Sequence, residues 1–300
     1  MMKFGTLLTL ILPSMLVVGS LIASAQDDEV RGAFLESRPK QTNLNGPSRR
    51  NRRRPATAKP ANANAANTTA ADNSNTAGAN VAPQPATRKS PPAIGLGYTI
   101  FMREPTGRAL RVEPTREFRN GERIRFALEP NVDGYLYIFH SENGGPPRMI
   151  FPDARLADGE NWIEAHVPIE VPSSEEPDER ARWFEFYGDP GSERLYIVVA
   201  SEPLTGVPTA EELVAFCGLN KDKCPWQPPA DVWALVEKAT NGEVKVATTQ
   251  NFGQAQTERE KVAMTRGLGL DKSMPQPSVI RINASSRETV LVTVLDLVHK

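Results

Sequence analysis

Residues Gly134–Asp153 read GYLYIFHSENGGPPRMIFPD, and this stretch decides the fold. Tyr135–His140 is an aromatic-rich run, Asn143-Gly144-Gly145-Pro146-Pro147 is a turn cluster, and Arg148–Phe151 is a second apolar run that stops at Pro152. Two such runs around a Gly/Pro-rich turn spell a β-hairpin. Both alternating faces of the first run are apolar, Tyr135, Tyr137 and Phe139 on one and Leu136 and Ile138 on the other. A strand with one wet face alternates apolar with polar residues, so this one is expected to be covered on both sides. Leu195–Ala200 has the same character.

Working outward, further short strands are expected at Tyr98–Arg103, Glu122–Leu128, Trp162–Val171, Trp183–Tyr187 and Leu195–Ser201. Glu122–Leu128 follows the turn Asn120-Gly121 and sets Ile124, Phe126 and Leu128 against Arg123 and Arg125. Pro168 marks Trp162–Val171 as an edge strand or a bulged one. Roughly seven short strands in about a hundred residues, with turns between them and no helix, predict an immunoglobulin-like antiparallel β-sandwich. After Pro203 the pattern becomes helical. Thr209 and Glu212 have capping-box spacing, with Cys217-Gly218 closing that helix. A second helix is expected over 228–240, entered through Pro229 or capped by Asp231, and a short one at Thr257–Met264. Val279–Ile282 and Thr289–Val298 are apolar enough to return to the sandwich as strands. The fold class is therefore mainly β, a sandwich (93–204) with a small helical insertion (205–277) before the last strands (278–300). The helix bearing Trp233, Leu235 and Val236 is the expected cover for the second face of the hairpin strand.

The order Asn120-Gly121-Glu122, Gly134-Tyr135-Leu136-Tyr137-Ile138, Ile150-Phe151-Pro152-Asp153, Asn161, Val171-Pro172, Pro190-Gly191-Ser192-Glu193 and Leu195–Ser201 resembles the domain of unknown function 4384 family over about 96–204. The resemblance implies an accessory β-domain of exported or membrane-anchored bacterial proteins. It supplies no catalytic residues, and it does not reach the N-terminal segment or the insertion.

The chain starts with one cation, Lys3, an apolar run from about Phe4 to Ile22, and the small-x-small site Ala23-Ser24-Ala25 before Asp27, Asp28 and Glu29. This is the layout of a secretory signal peptide (1–25), with cleavage between Ala25 and Gln26 and no membrane span left after it. An uncleaved anchor is the competing reading. Residues 26–92 have no aromatic between Phe34 and Tyr98 and are rich in Ala, Asn and Pro, so they are expected to form a disordered tether. Charge is uneven. Residues 26–92 hold eleven Lys/Arg against five Asp/Glu, whereas 93–300 hold 23 against 31. Arg49, Arg50, Arg52, Arg53 and Arg54 form a basic cluster that suits an anionic envelope surface, and export argues against nucleic acid. Cys217 and Cys224, an even and closely spaced pair in an exported chain, are expected to form a disulfide.

No nucleophile elbow, zinc-binding HExxH, phosphate loop or dinucleotide fingerprint occurs, and no cofactor is expected. His140, His166 and His299 are scattered and read as hydrogen-bonded structural residues. Asp153, Asp158 and Glu160 lack a calcium-loop pattern, and Glu175-Glu176 sits in a Ser/Glu/Pro-rich loop. Tyr135, Tyr137, Phe139, Trp162, Trp183 and Tyr187 are either core or a stacking face for sugars or peptides. Burial between layers would decide for core. The expected function is a non-enzymatic exported accessory or scaffold domain of the bacterial cell envelope, periplasmic or extracellular. It would bind an envelope protein or an anionic envelope polymer. The alternative is a hydrolase of unrecognised type acting on envelope polymers. Strand addition to a sandwich edge is a third mode.

Overall fold

The computed structural model describes residues 18–48, 92–156 and 159–300. A helix, α1 (Val18–Leu35), precedes β1 (Gly95–Arg103), β2 (Ala109–Val112), β3 (Glu117–Phe118) and β4 (Arg123–Pro130). The hairpin follows as β5 (Gly134–Glu142) and β6 (Arg148–Phe151). Then come β7 (Trp162–Ile163), β8 (Ile169–Val171), β9 (Phe184–Glu185) and β10 (Gly191–Ala200). Helices α2 (Ala210–Leu219) and α3 (Ala230–Thr240), strand β11 (Val244–Thr248), α4 (Glu258–Thr265), β12 (Val279–Asn283) and β13 (Val290–His299) complete the chain.

The strands form two sheets. One runs β11-β12-β1-β4-β8, with β2 on β1 and β9 on β4. The other runs β3-β13-β10-β5-β6, with β7 on β5. All pairings are antiparallel except the short β13–β3 contact. The inner faces meet through Leu96, Ile100, Phe126 and Leu128 from the first sheet and Leu136, Ile138, Ile197 and Leu295 from the second. The molecule is a mainly β, sandwich-like fold of the immunoglobulin-like kind.

The hairpin turn is built as its residues require. Asn143 and Gly144 both take positive φ, 49° and 73°, and the Gly145 N–H donates to the Glu142 carbonyl at 2.8 Å. That is a type I′ turn, which Asn-Gly favours, and Gly145-Pro146-Pro147 carry the chain from it to β6. The outward face of β5 is buried. Tyr135, Tyr137 and Phe139 pack with Leu213 of α2, Val232 and Val236 of α3, and Trp226 between those helices. The outer face of the other sheet is also covered. Val30 and Phe34 of α1 pack on Ala247, Ile280 and Ile282, while Met264 of α4 packs on Phe101 and Ala127. Helices thus lie on both outsides of the sandwich.

Several expectations are corrected. Residues 26–48 are not a tether. Val30 and Phe34 are buried, Arg38 is 3 % exposed, and the segment is bonded to the body throughout (below). The low aromatic content hid this because the contact is made by a few spaced residues in a polar context. Residues 49–91, with Arg49, Arg50, Arg52, Arg53 and Arg54, lie outside the described residues. Ala25 and Gln26 fall inside α1. Trp162–Val171 is not one strand: β7 belongs to the hairpin sheet and β8 to the other, with His166 at φ 58° in the turn between. Thr209 makes no side-chain cap, because Ala210 enters α2 at φ 49°. The capping box is instead at Thr257 and Glu260, on α4. The helix α2 also runs past Cys217-Gly218 to Leu219. Within the insertion, β11 extends a sheet.

Candidate binding cleft and buried charge cluster

The inward face of β5 continues past Leu136 and Ile138 to His140 and Glu142, and that of β10 continues from Leu195 to Glu193. Both runs leave the core at one end of the sandwich. Opposite them, the segment WFEFY alternates, with Phe186 buried against Phe118 (ring centroids 4.6 Å apart, stacked) and Tyr187 83 % exposed. Because β9 holds only two residues on β4, the sheets do not close there. The result is a cleft of about 440 Å³. Its floor includes Ile124, Phe126, Ile150, Phe184, Leu195 and Leu297. Trp183, Tyr187, His140, Glu142, Glu185 and Glu193 stand around the rim. His140 Nε2 lies 2.5 Å from Glu193 Oε2, and Arg123 Nε donates to Glu185 at 2.7 Å. The Arg125 guanidinium sits 4.2 Å above the Trp183 ring. Arg125 is therefore not on a solvated face: burial lowers its pKa, against the charge of Glu170, which raises it.

The six aromatics singled out in the sequence divide. Tyr135, Tyr137 and Phe139 lie between layers, so a stacking face on the hairpin strand is ruled out. The Tyr137 hydroxyl accepts the Leu204 N–H at 3.0 Å, which satisfies its polar end in the core. Trp162 is half-buried, edge-on to Tyr135. Trp183 and Tyr187 alone of the six reach the cleft. Cys217 and Cys224 are bonded to each other, with Cα atoms 5.6 Å apart. Asp153 is engaged by its neighbour Arg155 at 2.5 Å. His299 is buried and hydrogen-bonds Asn120 at 3.0 Å. Among the described residues no helix is long and apolar enough to cross a membrane.

A second constellation was not visible in the sequence. Glu129 at the end of β4 is fully enclosed. Arg38 donates to its two oxygens at 2.7 and 2.5 Å, and His166 Nδ1 lies 2.7 Å from Oε1. Ser37 Oγ lies 2.7 Å from His166 Nε2. Burial alone would push the Glu129 carboxyl up. The Arg38 charge and the hydrogen bonds from His166 and Arg38 outweigh it and hold the carboxyl below its ordinary value. A charged carboxylate only accepts, so His166 donates to it from Nδ1. The only sequence trace of this cluster is an acid placed out of step at a strand end, beside Pro130.

Residues 117–203 match the family described as Domain of unknown function (DUF4384). The match runs from β3 to just past β10 and so contains the hairpin and the cleft-forming WFEFY segment. It leaves out β1, β2, α1, α2, α3, α4 and the strands β11, β12 and β13. No curated protein and no solved structure matches the chain.

Proposed function

We propose that the chain is an exported accessory module of the bacterial cell envelope, built for binding and not for catalysis, whose cleft takes an extended segment of a partner protein. The observation that carries this reading is the open end of the sandwich: an apolar floor from core strands, with Tyr187 standing free at its rim. Pockets that mix apolar walls with a few polar groups are the usual binding sites of folded domains. The rim charge supports one of the two partner classes. Glu142, and Glu193 beside His140, would disfavour an anionic polymer and suit a peptide with apolar and cationic side chains, while Glu185 is already paired with Arg123. The signal-peptide layout supports export.

A photo-crosslinking residue in place of Tyr187, in producing cells, should give a discrete adduct. The same residue in place of Thr106, on an exposed turn, should not. Ile150→Arg, which fills the cleft, should abolish the adduct. Equal labelling at 187 and 106 would sink the reading.

A second reading, hydrolysis, has one observation in its favour. Ser37, His166 and Glu129 follow the order nucleophile, base, acid, with 2.7 Å at each step. Against it, Arg38 occupies both oxygens of Glu129, and His166 is only 2 % exposed. A fluorophosphonate probe decides the matter. Labelling at Ser37 that disappears in His166→Gln would establish a reactive serine, and an unlabelled protein would leave the cluster purely structural.

A further inference from the structure

We propose that the body binds residues 26–48 as it would bind a peptide ligand, in an acceptor groove on the outer face of the β1 sheet. The chain then holds together when it is cut between 49 and 91. Four residues spaced by four, Val30, Phe34, Arg38 and Thr42, make contacts of three chemical kinds. Val30 and Phe34 are apolar plugs against Ala247, Ile280 and Ile282. The socket for Phe34 is cut into β1 itself. A Cβ at Gly95 would stand 3.1 Å from the Phe34 ring, and one at Gly97 would stand 3.0 Å from it and 2.3 Å from Pro277. Two glycines on the same face of one strand clear the space that the ring fills.

Arg38 enters a site shaped for a guanidinium. Besides Glu129, its N–H groups reach the carbonyls of Asp271, Met274 and Pro275 at 3.2–3.3 Å. Without Arg38 this site would leave a buried carboxylate with only His166, a costly arrangement. Thr42 closes the run, its N–H on Asp271 Oδ2 at 2.9 Å and its hydroxyl on the Gly269 carbonyl at 2.6 Å. Between them the Lys272 N–H donates to the Pro39 carbonyl at 3.0 Å, and beyond them Arg266 holds the Gly46 carbonyl at 3.0 Å. Asp271 is set for its role by the Ser273 N–H and hydroxyl. The groove is therefore assembled by the body, and the segment fills it.

The consequence is topological. On one side of 49–91 Gly46 is held by Arg266, and on the other Ile94 is held through its carbonyl, which accepts the Asn283 N–H at 2.9 Å. The described residues on both sides of 49–91 are therefore held by one body. Whatever the N-terminal end is attached to is joined to the sandwich by noncovalent contacts as well as through the chain.

The test inserts a site-specific protease sequence within 60–85 of the chain that starts at Gln26. After cutting, the two fragments should co-elute on gel filtration at high salt. Phe34→Ala and Arg38→Met should each weaken retention of the N-terminal fragment by at least about tenfold, since each removes a buried contact. Lys245→Ala, which removes only the surface pair with Glu29, should leave it unchanged. Should those variants misfold before cutting, a synthetic 26–48 peptide added in excess to the cut wild-type protein should displace a labelled fragment, and a scrambled peptide should not. Separation of the wild-type fragments, or an inert 26–48 peptide, would overturn the proposal. None of these readouts depends on the cleft or on Ser37 chemistry.

Discussion

Glu129 shows how one side chain ties distant parts of the sequence together. It stands on β4, yet its partners are Arg38 and His166, from the N-terminal segment and from the turn between β7 and β8. Removing one partner of a buried ion pair leaves the other charge uncompensated, which costs about 3–5 kcal/mol. Glu129→Gln should therefore lower stability by roughly that amount in urea unfolding at neutral pH, while surface pairs such as Arg194–Asp296, about half exposed, should matter little. The pH dependence follows from the direction of the shift. The carboxyl is depressed below its ordinary value of 4.5 in the folded protein, so its stabilisation is fully present above that value and is lost as pH falls through the lower, folded one. The urea midpoint of the wild type should drop on acidification below about pH 4.5, and Glu129→Gln should flatten that drop. A wild-type acid limb that survives the substitution intact would assign the effect to other carboxylates. None of this was legible beforehand. The alternation of Arg123–Leu128 marks the inner face well, but the outer face reads as solvated when its partners lie about 90 residues upstream and 40 downstream, beyond the reach of any local pattern.

At the scale of elements, the two-sided apolarity of β5 was the most useful signal, because a strand buried on both faces must have two partners in layers. It led to α3 as the cover: Val236 and Trp233 do pack into the cluster that holds Tyr137 and Phe139, joined by Val232, whereas Leu235 is exposed. The same logic could not find the cover of the other sheet. There the β1 face under α1 is Gly95 and Gly97, small residues that carry no hydrophobic pattern because they make room for Phe34. The disulfide joins these ideas. It links α2 to the stretch that delivers Trp226, whose carbonyl accepts the Met149 N–H at 2.8 Å and whose ring is in the same cluster. A loop this short constrains the unfolded chain by about 2 kcal/mol. A Cys217→Ser, Cys224→Ser variant should accordingly show faster hydrogen exchange in α2 and altered tryptophan fluorescence. The amides of β10, in the middle of its sheet, should keep their protection. Uniform loss of protection through β10 would mean that the helical cover and the sandwich unfold as one unit.

For the molecule as a whole, the layered sandwich was readable because it rests on contiguous runs of apolar residues, whereas the role of the N-terminal segment was not, because it rests on four spaced residues in a polar context. That difference changes what the low-complexity stretch is expected to do. A tether sets how far a domain can travel, so shortening one changes reach. A loop closed on one body changes only closure entropy, which grows slowly with length. Cutting the 43 residues of 49–91 to about 20 should therefore alter global stability by less than about 1 kcal/mol, in the stabilising direction. Deleting 26–48 instead removes Phe34 from its socket and Arg38 from Glu129, and should cost several times as much, since a buried Phe alone is worth about 3–5 kcal/mol on truncation. Urea denaturation of the two deletions, side by side, separates the cases. If the shortening of 49–91 is the more damaging of the two, the account in which 26–48 is held by the body itself fails. If the 26–48 deletion is the more damaging, the segment belongs to the fold, and the covered face of β1 is as much a part of the core as the hairpin strand.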